Sequence, residues 1–177
     1  MSRKYYWCAA LVALMGNLPI ASAHELGAHV HGLATLQIAV DEKTMTLDFS
    51  SPLDNLLGFE HVARDAKQKA AVQNMADRLN KAEQLFIPTA DAQCTLQSVK
   101  LDSLVLEAKS KPDKEEDGHA DLDGEFVFAC KQPGKLHELE VKLFDAFPNL
   151  HQLKVEVATL KKQAAAKLTP QQRRVNW

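Results

Sequence analysis

Apolar side chains recur at every second position through Ala34, Leu36, Ile38 and Val40, pause over Asp41, Glu42 and Lys43, and resume at Met45, Leu47 and Phe49. Alternation of period two marks a strand with one buried and one wet face, because successive side chains leave a strand on opposite sides. The polar triplet between the two runs supplies a turn, so the segment reads as a β-hairpin that Pro52 brings to an end. The period then changes. Val72, Met75, Leu79, Ala82 and Phe86 follow one another at steps of three and four residues, which sets them along one stripe of a helix. The spacing predicts a single amphipathic helix of about five or six turns over 64–86, closed by Pro88.

Strand-like alternation returns over 94–106, 125–131, 136–144 and 153–160. Phe126, Phe128 and Cys130 share one face, as do Leu139, Val141 and Leu143, and again Leu153, Val155 and Val157. Within the tail, 163–167 is compatible with a helix by propensity and with a last strand by pattern. No internal repeat or domain boundary interrupts the sequence. The expected fold class is α+β, an antiparallel sheet with one long amphipathic helix packed on one face. One stretch does not fit a packed core: 109–118 is charged and free of apolar side chains, and reads as a mobile surface loop near 109–120.

The beginning of the chain points to export. Arg3 and Lys4 precede an apolar run from Trp7 to Leu14, and Ala21-Ser22-Ala23 supplies a small-residue cleavage site. The expected organisation is a signal peptide over 1–23 and a single domain over 24–177. The apolar run is too short to span a bilayer and no second one follows, so no membrane span is expected after cleavage. Cys8 leaves with the leader. Cys94 and Cys130 then remain in a compartment where disulfides persist, and a bridge between them is preferred over metal ligation, since neither has a C-x-x-C partner or a flanking His.

Charge excludes one class of partner. With 21 basic against 23 acidic side chains and a formal net charge of -2, the chain lacks the clustered basic face that phosphate backbones require, so no nucleic acid is expected. Enzyme signatures are absent as well: there is no H-E-x-x-H, no G-x-S-x-G and no phosphate-binding glycine loop.

What remains is histidine. Of the 7 His, three crowd the beginning of the exported chain: His24, His29 and His31. If a strand begins near His29, the spacing of two puts His29 and His31 on one side of it, roughly 7 Å apart at the Cα atoms, where two imidazoles can share a metal. His24 would become the first residue, able to chelate through its α-amino group and ring. Both arrangements suit Zn(II) or Cu(II). Adjacent Glu60 and His61, after the run Ser51 to Leu57, offer a carboxylate and an imidazole to one ion. Asp54 reads equally as a helix cap, and His61 as satisfying a backbone group. A third cluster holds His119, Asp121 and Asp123 before Gly124. Its calcium-loop reading fails, because the first position is His119 and the last is Cys130. The bland alternatives are a solvated scavenger of metal at the beginning of the chain and a solvated charged loop here.

Taken together, His29-Val30-His31-Gly32, Ser51-Pro52 with Asn55-Leu56 and Gly58-Phe59-Glu60-His61, Gln68-Lys69-Ala70, Cys94, His119-Ala120-Asp121, Cys130, and Leu143-Phe144 with Phe147-Pro148 resemble the ZrgA-like family of bacterial envelope proteins. The resemblance covers essentially the whole exported chain. It implies a periplasmic protein tied to zinc acquisition, a carrier or accessory to an envelope zinc-uptake complex and not an enzyme. Two departures stand out: Leu26 takes a position where the family commonly has His, and 109–117 holds no His where the family's loop is often rich in it. The expected cargo is Zn(II), held first by His29 and His31, with His24, His61, Glu60, His119 or Asp121 completing a tetrahedral set of N and O donors. The rival from another class is an envelope interaction module without a metal role.

Overall fold

The computed structural model describes residues 30–107 and 120–177. The expected signal peptide, His24 and His29 fall in 1–29, and the charged loop with His119 falls in 108–119; both segments lie outside the described residues.

In chain order the strands are β1 (Leu33–Asp41), β2 (Thr44–Pro52), β3 (Phe86–Pro88), β4 (Cys94–Asp102), β5 (Asp121–Cys130), β6 (Glu138–Val141), β7 (Gln152–Thr159), β8 (Gln163–Leu168) and β9 (Arg174–Asn176). The helices are α1 (Leu53–Leu57), α2 (Ala66–Leu79) and α3 (Leu143–Ala146). Six strands form one sheet in the order β4-β5-β2-β1-β7-β8, and β3-β6-β9 form a second. All strand pairings are antiparallel except β1 with β7. The α+β class follows as the patterning implies, with the second sheet and the one parallel pair as additions to it.

The hairpin forms as read. Leu36, Ile38, Met45, Leu47 and Phe49 are buried on one face of β1 and β2, and Phe126, Phe128, Leu153, Val155 and Val157 extend that face across β5 and β7. The small sheet and α2 cover it. Phe86 of β3 meets Phe126 of β5 with ring centroids 5.0 Å apart, a tilted aromatic contact that joins the two sheets. The segment 163–167 resolves as β8, pairing with β7 from Leu153↔Leu168 to Ala158↔Gln163.

The long helix is shorter than its apolar spacing suggests. α2 begins where the Asp65 side chain accepts from the Gln68 N–H at 2.8 Å, while the Gln68 side-chain oxygen accepts from the Arg64 N–H at 2.7 Å. It ends at Leu79. Val72, Met75 and Leu79 are its buried positions, as the stripe requires. Ala82 and Phe86 are buried too, but Ala82 sits in a 3₁₀ turn and Phe86 in β3, opposite Val141. The steps of three and four therefore continued past the helix by burial alone. The expected strand over 136–144 narrows to β6 for a related reason: Leu143 is buried from the first turn of α3.

Cys94 and Cys130 are joined by a disulfide across the paired ends of β4 and β5, closing a sequence separation of 36. Among the described residues no helix is long and apolar enough to cross a membrane.

Candidate metal-binding site

The site is built by the turn that enters β1 and the helix that leaves β2. The Leu33 N–H donates to the Val30 carbonyl at 3.0 Å, and Gly32 takes φ +84°. A reversal over 30–33 with positive φ at its third residue is the geometry of a type II turn, which favours Gly there. His31 occupies the second position, so its ring projects from the turn. The strand expected to begin near His29 begins later, and His29 itself lies outside the described residues. β1 starts only at Leu33, because Gly32 breaks the extended backbone before it.

α1 follows Pro52 directly, and its Leu53 N–H donates to the Ala120 carbonyl at 3.0 Å. Gly58, with φ +77°, ends it in a left-handed conformation and returns its N–H to the Asp54 carbonyl at 2.9 Å. The Asn149 side chain also donates to that carbonyl, at 3.2 Å. α1 and its cap thus present Asp54 and Glu60 to the turn from two directions.

His31 lies between them. Its Nδ1 is 3.6 Å from Asp54 Oδ2 and its Nε2 is 3.3 Å from Glu60 Oε1. The imidazole is 57% exposed and the Glu60 side chain only 15%, so the pair forms a wet rim over a partly enclosed carboxylate. A neutral imidazole carries one N–H and one lone pair. With a carboxylate near each ring nitrogen, the single N–H can face only one of them, and the lone pair on the other nitrogen faces a second electron-pair donor. A metal cation lodged between them would relieve that opposition.

The other candidates are placed differently. His61 Nδ1 lies 2.9 Å from the Val62 carbonyl oxygen and its ring stacks on Phe59 at 5.1 Å, so it is engaged with its own loop. Asp121 opens β5 opposite Pro52, one residue before α1, and its carbonyl accepts from Ser103 Oγ at 2.7 Å. Among the described residues no group of three or more His, Cys, Asp or Glu side chains is placed to hold one ion. The His31 arrangement explains why: its two carboxylates approach opposite ring nitrogens, and one ion reaches only one of those sides. The structure brings Glu60 to His31 and leaves His61 apart. It adds Asp54, which the sequence offered only as a cap, and Asn55, which nothing in the sequence singled out beyond its place in a motif.

A family model described as ZrgA family zinc uptake protein matches residues 28–177. The chain belongs to the ZrgA family. Comparison with curated proteins finds no match. Within this ZrgA-family chain the matched span takes in the whole of both sheets and the His31 turn. The broad concavity of about 350 Å³ on the wet face of the large sheet, between β1, β2, β4 and β5, is lined by Asp48, Lys100, Asp102, Asp123 and Glu125 with no His or Cys.

Proposed function

We propose that this protein, freed of residues 1–23, captures Zn(II) in the periplasm and passes it to an envelope uptake complex, acting by binding and release and not as an enzyme. The observation that carries the reading is the 3.3 Å between His31 Nε2 and Glu60 Oε1. Two ligands each about 2.0–2.1 Å from a tetrahedral zinc stand roughly 3.3 Å apart, so the pair is already spaced as one edge of such a site. Asp54 then serves the opposite nitrogen, fixing the tautomer and orientation of the ring as an outer carboxylate does for zinc-bound histidine. Zinc is borderline between hard and soft and accepts this N and O set readily. His29, His24, His119 and Asp121 are the donors proposed to complete it, with His61 requiring release from Phe59 first.

An edge offered on an exposed rim suits transfer, since a receiving site can replace ligands one at a time. Zinc titration of the purified protein by calorimetry tests the reading. Wild type is expected to show a saturable site, with affinity reduced at least tenfold in His31→Ala and in Glu60→Gln, the scale seen when a coordinating or supporting group is lost. Equal binding by wild type and His31→Ala would remove the assignment.

A further inference from the structure

We infer that Asn55 is the positioning residue of this site, holding the turn that carries His31 against the helix that carries Asp54; the inference rests on the zinc reading above. Asn55 is 1% exposed, one of three polar or charged side chains buried to that class among the described residues. Its Oδ1 accepts the Gly32 N–H at 2.5 Å, and its Nδ2 donates to the Leu33 carbonyl at 3.0 Å and to Ser51 Oγ at 3.1 Å. The carboxamide therefore grips the turn on both sides of the Gly32–Leu33 peptide, with an acceptor for one group and a donor for the other. Ser51, itself fully buried, anchors the remaining amide proton to the end of β2.

The placement couples this clamp to the donors. Asn55 follows Asp54 on the short α1, so the helix that fixes the backbone beside His31 also sets its neighbouring carboxylate. On its far side the Gly32 carbonyl accepts the N–H groups of His151 and Gln152, both at 2.8 Å. With N–H and C=O both held, Gly32 has little freedom to carry His31 away from Glu60. Only a side chain of this length with both an acceptor and a donor meets the demand. Asp lacks the donor for Leu33, Ser lacks the reach, and Leu would leave buried Gly32 and Ser51 groups without partners. A site spaced for an ion before it arrives binds more tightly than one ordered on binding, because the ordering cost is already met in the fold.

The test compares zinc affinity by calorimetry in wild type, His31→Ala, Asn55→Ala and Val175→Ala. The last truncates the core of the second sheet and controls for destabilisation, with folded fraction matched by circular dichroism. Asn55→Ala is expected to bind at least about tenfold more weakly while Val175→Ala binds as wild type. Wild-type affinity in folded Asn55→Ala overturns the inference, and so does an equal loss in Val175→Ala. Wild-type affinity in His31→Ala would instead overturn the zinc reading itself. Should Asn55→Ala fail to fold, amide exchange in the zinc-free wild-type protein decides: the Gly32 N–H is expected to be protected before any zinc is added, and exchange as fast as an unbonded amide overturns the proposal.

Discussion

Gly32 is where backbone conformation and ligand placement meet. Its φ of +84° is one that side chains with a Cβ rarely adopt, and a Cβ built there would stand 2.8 Å from His151 Cδ2. Gly32→Ala is expected to cost about 1–3 kcal/mol of stability by urea titration and to weaken zinc binding, since relaxing either strain rotates the turn that bears His31. A variant as stable as wild type, with its affinity kept, would show that the turn is not fixed. At this scale the sequence offers His31 and Glu60 as donor types directly. It hides their partners, because Asp54 looks like a helix cap until α1 is seen folded back on the turn at 30–33. Asn55 is a polar residue set within Leu53, Leu56 and Leu57, an anomaly whose meaning depends on a peptide more than twenty positions earlier. The strand expected to begin near His29 begins at Leu33 instead, after the glycine that follows His31.

Elements divide by how local their causes are. The β1–β2 hairpin is legible because its alternation, its turn and its terminating proline lie within one short span. α2 is legible at its start, where Asp65 and Gln68 cap it, but not at its end. Burial of Ala82 and Phe86 against the other sheet imitates helical spacing, and no single sequence distinguishes the two. The wet face of the large sheet carries its own consequence. Lys100, Glu125, Asp48, Gln37 and Glu156 lie in one row across five strands, so Asp48 and Glu125 are direct cross-strand neighbours of like charge. Burial, and then the Glu125 carboxylate, raise the Asp48 carboxyl above its ordinary range. Because the folded value is the higher one, the fold favours protonated Asp48, and stability from this group falls as pH rises from the unfolded value through the folded one. Asp48→Asn is therefore expected to raise the thermal midpoint at about pH 7 and to lose that advantage below about pH 4. A midpoint at neutral pH equal to or below that of wild type would contradict the assignment.

Across the whole molecule, the disulfide and the proposed zinc site lie toward opposite ends of β5. Cys130 closes that strand and Asp121 opens it beside Pro52 and α1. Ten residues of strand separate the two by roughly 30 Å. The disulfide constrains a separation of 36, worth about 4 kcal/mol in the chain-entropy model. Replacing both cysteines with serine is expected to lower the unfolding free energy from urea titration by that scale and to leave zinc affinity unchanged in the folded protein; a matching fall in affinity would show that the two ends are coupled. The Cys pair was legible from compartment and spacing. The three-stranded sheet was not, because β3 and β9 are only three residues each and pair with β6 across long separations. If His31 and Glu60 grip one zinc ion together, anomalous diffraction at the zinc absorption edge locates that ion directly. A peak is expected about 2.0–2.2 Å from both His31 Nε2 and a Glu60 carboxylate oxygen. A bound zinc away from this pair, with His31 still facing Glu60 unbridged, would contradict it.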